Sequence, residues 1–451
     1  MRYHLIAVGG SIMHNLAIEL KNLGNEVSGS DDIIQDPALT KLKKNGLFPE
    51  KLGWYPENIT AEIDVVIVGN HAKEDNPELL KARELGLKLY SFPEFIYHHA
   101  EHKQRIVIAG SHGKTTVTSM ILHVLKKLNY PADYLVGAQL EGFETMVKLS
   151  DAPIFVMEGD EYLSAPFDKR PKFLVYKPHL LVLTGIAWDH INVFPTKEIY
   201  FQQFDNLLKS LEKATHIVYN ESDKNIKNLI KPYQKNESLY FIPYKILSTK
   251  KEGSKTYIKI ENKLAPIQVF GEHNYSNIAA AWEVCKLLAI NADEFLSAIS
   301  TFKGASQRLE IIYQDQWNTI ISDYAHSPSK VKASLDAVKS HFASKKIKII
   351  PCLELHTFSS LNLNFMKNYK GVFKGFSHKV VFIDETIVEN KKMKLPSELD
   401  VQSAFGEKDI QVVYNVESLE KILKQWKTES NVFLFMSSGN FGGFDFLKLV
   451  S

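Results

Sequence analysis

Ile106-Val107-Ile108-Ala109-Gly110-Ser111-His112-Gly113-Lys114-Thr115-Thr116 is the stretch on which the architecture turns. An apolar run of strand length meets a glycine-flanked turn, and a helical pattern follows to about Leu128. Backbone N–H groups of such a turn, at a helix N-terminus, can surround phosphate oxygens. A lysine then follows the phosphates with its charge, and the next hydroxyl reaches Mg2+. Lys114 and Thr115 hold those places, with Gly110, Ser111, His112, Gly113 and Thr116 completing the loop. The common pattern G-x-x-x-x-G-K-[ST] is longer, and its first glycine would fall on Ile108. Binding of a nucleoside triphosphate with Mg2+ is the expectation, and a plain glycine-rich turn is the alternative.

Upstream, His4 to Val8 is a short apolar run ending in Gly9-Gly10-Ser11, and Ile12, Leu16, Leu20 and Leu23 follow at helical spacing. A second strand closes on Asp31, and Asp64 to Asn70 reads as a third. This is a βαβ start, although Gly9-Gly10-Ser11-Ile12-Met13-His14 does not match G-x-G-x-x-G. The turn suits either an ordinary α/β domain or one adapted to another nucleotide. Downstream, strands are expected at 154–158, 180–184, 216–220 and 239–242. A third block from about Phe302 adds strands at 319–322, 347–352, 379–383, 411–414 and 431–436, with helices at 329–341 and 418–426. Strands alternating with helices give an α/β chain of three consecutive domains. The expected bounds are 1–103, 104–304 and 305–451.

The bulk numbers agree. At roughly 150 residues per domain, 451 residues make about three. With 54 Lys plus Arg against 52 Asp plus Glu and no long basic run, a nucleic-acid partner is not expected, whereas small anionic substrates are. Cys285 and Cys352 form no CxxC or Cys/His pattern, which fits a reducing compartment. No apolar run approaches the ~18 residues of a membrane span, and the apolar run at the N-terminus is too short for a signal-peptide core, so a cytoplasmic chain without a membrane partner is expected.

A bound triphosphate needs acidic and metal partners. Glu158-Gly159-Asp160-Glu161 follows one expected strand and Asp189-His190 another, at the carboxyl ends where ligands collect in parallel sheets. Glu158 with Thr115 makes a first oxygen-lined metal site, and His190 a contact to a second ion. Taken singly, each cluster reads better as a solvated loop or a structural pair, and their joint order after the phosphate loop reverses that weighting. Further on stand Gly271-Glu272-His273-Asn274-Tyr275-Ser276-Asn277, Arg308 and Asp323-Tyr324-Ala325-His326-Ser327-Pro328. Asn side chains suit a purine edge and Asp323 a ribose, while His273 and Asn274 could equally form a helix cap.

The ordered set GSHGKTT, EGDE, DH, GEHNYSN, Arg308, DYAHSP and Ser437 to Gly443 resembles the Mur ligase family over essentially the whole chain. The resemblance implies an ATP-dependent amide-bond ligase of bacterial peptidoglycan metabolism, with a Rossmann-like N-terminal domain, a P-loop ATPase-like central domain and a Rossmann-like C-terminal domain. In it the carboxylate of UDP-N-acetylmuramate attacks the ATP γ-phosphate, and an amine then displaces phosphate from the acyl phosphate. It further implies catalytic roles for Lys114, Glu158 and His190, and metal contacts from Thr115, Glu158 and His190. Nucleotide contacts would come from the loop 110–116, His273, Asn274, Asn277, Arg308 and Asp323. Substrate contacts would come from Gly9, Gly10, Ser11, Asp31, Asn70, Tyr324 and His326. Within the family, Glu158 to Tyr162 with Phe167-Asp168-Lys169-Arg170-Pro171-Lys172-Phe173 resembles members that take the tripeptide L-Ala-γ-D-Glu-meso-diaminopimelate. Members that take free L-alanine hold its carboxylate with two arginines, which align here with Thr357 and Ser360. A free amino acid would lose its charge-assisted clamp. L-alanine remains the alternative acceptor, and a non-catalytic nucleotide or UDP-sugar sensor a second alternative.

Overall fold

A computed structural model describes the chain apart from residues 141, 189, 190, 192, 253, 254, 307, 344–346, 428, 429 and 451. The fold is α/β, as expected. It divides into two compact units: Met1–Ile186 with Phe201–Lys245 and Asn277–Ile299, and Ala187–Tyr200 with Ile246–Ser276 and Ser300–Ser451.

Among the described residues, the first unit holds two large sheets and a small antiparallel pair, Leu163–Ala165 with Asp168–Pro171. The N-terminal one is parallel, in the order Glu26–Ser30, Arg2–Ile6, Val65–Val68, Lys88–Ser91. Helix Ser11–Asn22 starts directly on the Gly9-Gly10 turn, which is the βαβ start read from the sequence. Ile6, Val66, Val68, Leu79 and Ala82 pack one face of this sheet.

The larger sheet runs Leu239–Tyr244, Thr215–Asn220, Leu180–Leu183, Gln104–Ala109, Ile154–Gly159, Asp133–Leu135, Val147–Lys148, antiparallel only at the last strand. Gln104–Ala109 is its central strand. Ile106 to Ala109 are buried on both faces, which is why that run shows no polar alternation. Ala109 pairs with Leu183 on one side and Gly159 on the other. The glycine loop, the EGDE segment and Thr184 therefore emerge at one level, at the carboxyl end of the sheet.

A buried ionic knot ties down this sheet's edge. Asp133 is fully buried and accepts hydrogen bonds from the Ser150 hydroxyl and the Lys103 ammonium (each 2.5 Å) and from His99 (3.1 Å). Burial alone would raise this carboxyl, but His99, Lys103 and Ser150 outweigh it and hold it below the ordinary aspartate range. The unfolded carboxylate then binds protons more readily than the folded one. Its stabilising contribution is complete above about pH 4 and is lost as pH falls through the lowered native value. Asp133→Asn should cost about 3 kcal/mol at pH 7, because Lys103 is left buried without its partner. The deficit should shrink when urea unfolding is repeated below pH 4; a deficit independent of pH would contradict this account.

The second unit is built on a six-stranded sheet, in the order Glu310–Gln314, Asn318–Asp323, Asn431–Met436, Lys348–Glu354, Val380–Phe382, Gln411–Val413. Only its first strand is antiparallel. Helix Pro328–Phe342 covers one face through Val331, Leu335 and Val338. Helix Val416–Trp426 covers the other through Leu419 and Leu423. Both helices lie within two residues of their expected bounds. A three-stranded antiparallel sheet, Thr249–Glu252, Lys255–Ile260 and Lys263–Ile267, was not legible in the sequence. Its first strand is exposed throughout, so no apolar alternation announces it.

Candidate active site

The loop 110–113 joins the central strand to helix Lys114–Lys127. Gly113 adopts φ +80°, and a Cβ there would come within 2.8 Å of the Asn277 Oδ1 atom. Glycine is therefore required on both conformational and steric grounds. Lys114 Nζ donates to the Gly110 carbonyl (2.6 Å) and to Glu161 Oε2 (2.7 Å), with Asp160 Oδ1 at 3.6 Å. Burial would push the ammonium down, but Glu161, then Asp160 and Glu158, overcome it and hold Lys114 above the ordinary lysine range. It stays charged under all working conditions.

At the second residue of the helix, the Thr115 hydroxyl lies 2.9 and 3.0 Å from the two Glu158 oxygens, and the Gly137 N–H donates to Glu158 Oε2 at 2.8 Å. Lys172 reaches Asp160 at 3.0 Å. Around the loop, three carboxylates (Glu158, Asp160, Glu161) face two ammonium groups (Lys114, Lys172), one negative charge in excess. A polyphosphate arriving there is repelled unless a cation accompanies it. The hydroxyl of Thr115 and the carboxylate of Glu158 are hard oxygen donors on adjacent elements, a pair that fits Mg2+ completed by phosphate and water. Asp189 and His190, expected nearby, lie outside the described residues.

The other expected residues separate into local groups. In the first unit, the Gly9 N–H donates to Asp31 Oδ2 at 2.8 Å, so this buried carboxylate holds the glycine turn itself. Burial pushes Asp31 up, against the Gly9 and Ile33 N–H groups. Gly10 caps the helix that Ser11 opens, and Asn70 is exposed beyond strand Val65–Val68. In the second unit, Asp323 is buried, bonded to the Ser334 hydroxyl and, at 3.4 Å, to the Leu309 N–H. Burial raises it, with Ser334, Arg308 and His273 pulling the other way. Arg308 stacks 4.4 Å over the Tyr324 ring, and His326 Nδ1 lies 2.8 Å from the Tyr324 carbonyl. The amide of Asn274 donates to the Phe270 carbonyl at 2.8 Å. Asn274 is thus the third residue of helix Glu272–Leu287 rather than its cap, whereas Asn277 lies against the phosphate loop at Gly113.

These features match known proteins along the chain. The profile described as the Mur ligase family catalytic domain matches residues 2–104, and the Mur ligase middle domain matches 108–285. A UDP-N-acetylmuramate–L-alanine ligase of Clostridium kluyveri is 31% identical over 382 residues, 82% of this chain and 81% of that protein. The chain belongs to the Mur ligase family. It is an ATP-dependent ligase of peptidoglycan synthesis that forms amide bonds. A second member is also similar. The UDP-N-acetylmuramate–L-alanyl-γ-D-glutamyl-meso-2,6-diaminoheptandioate ligase of Escherichia coli is 26% identical over 450 residues, 98% of this chain and 96% of that protein. Among solved Mur ligases, a UDP-N-acetylmuramate–alanine ligase from Thermotoga maritima shares the fold. Its TM-score is 0.71 at 22% identity, covering 98% of this chain and 96% of that one. Among the described residues, no helix is long and apolar enough to cross a membrane.

Sequence reasoning undervalued Glu161. It is the direct partner of Lys114 and is wholly buried, yet it stood in EGDE only as the fourth residue of an acidic run. Gly137, whose N–H braces Glu158, had no sequence signal, because it comes from a loop over 20 residues away.

Proposed function

We propose that the chain joins UDP-N-acetylmuramate to the tripeptide L-Ala-γ-D-Glu-meso-diaminopimelate through an acyl phosphate. Its three domains would be residues 1–103 for the UDP substrate, 104–304 for ATP and 305–451 for the acceptor. The observation that carries the choice of acceptor is local. Thr357 and Ser360, which align with the two carboxylate-holding arginines of alanine-adding relatives, satisfy each other here. The Ser360 N–H donates to Thr357 Oγ1 at 3.0 Å and the Thr357 N–H to Ser360 Oγ at 2.9 Å, a reciprocal helix cap. No guanidinium stands at either place, so a small zwitterion has no bidentate anchor there. A peptide can draw its affinity from a longer contact instead.

In this reading, the loop 110–116 surrounds the phosphates and Lys114, fixed by Glu161, lies along the β- and γ-phosphate oxygens. Thr115 and Glu158 hold Mg2+, with His190 at a second ion; the metal supplies charge neutralisation on the nucleotide. Asn277, His273 and Asn274 serve adenine, Asp323 ribose, and Arg308 the phosphate side. Gly9, Gly10, Ser11, Asp31 and Asn70 serve the UDP-sugar, and Tyr324 and His326 the acceptor. Binding orients the lactyl carboxylate for in-line attack, which is the main catalytic contribution open to the protein in phosphoryl transfer.

L-alanine is the second reading, because the 31%-identical relative of Clostridium kluyveri bears that name. Phosphate release is followed with MgATP, UDP-N-acetylmuramate and either acceptor. Release that depends on the tripeptide is expected; equal or faster release with alanine would overturn the choice.

A further inference from the structure

Amide formation has a requirement that the phosphate loop does not meet. The incoming amine is an ammonium ion at neutral pH and must lose a proton before it can attack. The six-stranded sheet of the second unit offers a place for that transfer.

The chain leaving strands Asn318–Asp323 and Lys348–Glu354 turns to the face covered by helix Pro328–Phe342, where Ala325, Leu355 and Leu361 are packed. The chain leaving Asn431–Met436, the strand between them, turns to the opposite face, where Phe441 and Phe444 are packed. Divergent loops at the carboxyl ends of adjacent parallel strands open a crevice, the position at which open α/β sheets bind ligands. Glu354 stands at that position and is 1% exposed. Its Oε2 accepts the Phe441 N–H at 2.9 Å and the Ser437 hydroxyl. Its Oε1 faces His356 Nδ1 at 3.6 Å. Gly439 lies so close that a Cβ would come within 2.6 Å of His356 Nδ1 and 2.8 Å of Glu354 Oε2. Only glycine lets the loop approach the pair.

Two buried polar atoms here have no hydrogen-bond partner, His356 Nδ1 and Ser438 Oγ. Buried polar groups are rarely left so, and an orphaned pair beside a crevice marks a place that a ligand or a small rotation completes. The His356 side chain is 27% exposed although Nδ1 is buried, so its exposed edge is the other side of the ring. Among the described residues, the charged group that faces His356 is Glu354 on the strand.

We propose that His356, oriented by the buried carboxylate of Glu354, accepts the proton of the acceptor's ammonium group. The inference rests on the ligase reading above and adds a residue to it. A turn of the ring closes the 3.6 Å gap, lets Nδ1–H donate a hydrogen bond to the Glu354 carboxylate and leaves Nε2 as the proton acceptor. Glu354 is then a positioning residue that also stabilises the imidazolium. The step balances. The ammonium gives one proton to His356, and its freed lone pair forms the C–N bond to the acyl carbon. The C–O bond to phosphate breaks with its electron pair on the phosphate oxygen, and the departing phosphate takes the second N–H proton.

The test uses the full-length protein with MgATP and UDP-N-acetylmuramate. The amine is whichever of tripeptide and L-alanine the wild-type protein ligates, so a wrong choice of acceptor changes the substrate and leaves the variant ratio readable. In parallel, hydroxylamine, which is largely unprotonated at neutral pH, traps the acyl phosphate as a hydroxamate without needing a base. His356→Asn should lower kcat for ligation about 100-fold or more, with KM changed only severalfold, while hydroxamate formation stays within about threefold of wild type. Glu354→Gln should show the same selective loss to a smaller degree. Unchanged ligation in His356→Asn would overturn the proposal, and so would a parallel fall in both reactions, which a purely structural role would give.

Discussion

Lys114→Ala is expected to lower turnover by at least about 1,000-fold while the protein remains folded. The ammonium is held from two sides, by the Gly110 carbonyl at 2.6 Å and by Glu161 at 2.7 Å, so the lysine side chain is already ordered where the phosphates are proposed to bind. A charge fixed beforehand needs no reorganisation during reaction, and one such group contributes on the order of 3–4 kcal/mol to a transition state. The variant also removes the ammonium that the buried Glu161 carboxylate faces, a loss that protonation of Glu161 relieves. Phosphate release measures the first effect and thermal unfolding the second. Normal turnover in a folded variant would remove the phosphate assignment.

Glu158→Ala should lower turnover about 100-fold or more and shift the Mg2+ concentration for half-maximal activity upward. The carboxylate has two local partners, the Thr115 hydroxyl and the Gly137 N–H, so loss of activity alone would not separate a metal role from a bracing one. Glu158→Gln separates them. The amide oxygen can still accept from Gly137, and its size is unchanged, but the negative charge is gone. A higher Mg2+ requirement in Glu158→Gln with unchanged thermal stability is the expected result. Wild-type Mg2+ dependence in that variant would exclude Glu158 as a metal ligand and leave it the loop-bracing part alone.

Much of this molecule was legible in its sequence because its strongest signals are local. The apolar run Ile106 to Ala109 could only be a strand buried on both faces, and the glycines after it could only mark a turn into a helix. The six strands beyond residue 310 were less complete. Glu310–Gln314 is mostly exposed and pairs antiparallel at the sheet edge, so its pattern does not stand out from loop. The sheet at 249–267 escaped for the same reason. Its Lys-rich strands pair with one another in a small antiparallel sheet, and the residues that identify a strand by burial are few.

The site divides along the same line. Sequence alone determined that strand, glycine loop, Lys114 and Thr115 follow one another in register, since consecutive residues carry that message through backbone geometry. It also determined the family, because an ordered series of motifs survives where overall identity is low. Which groups meet was left to the tertiary structure. Glu161 holds Lys114, Glu158 is braced from Gly137, and Asp31, expected as a substrate contact, is bonded to the glycine turn. The meeting of Glu354 and His356 with Ser437, Gly439 and Phe441 required neighbouring parallel strands whose carboxyl ends lie more than 80 residues apart in the chain. Contacts of that kind depend on sheet order and crossover direction, which are set by how whole helices bury their apolar faces. No short stretch of sequence encodes them.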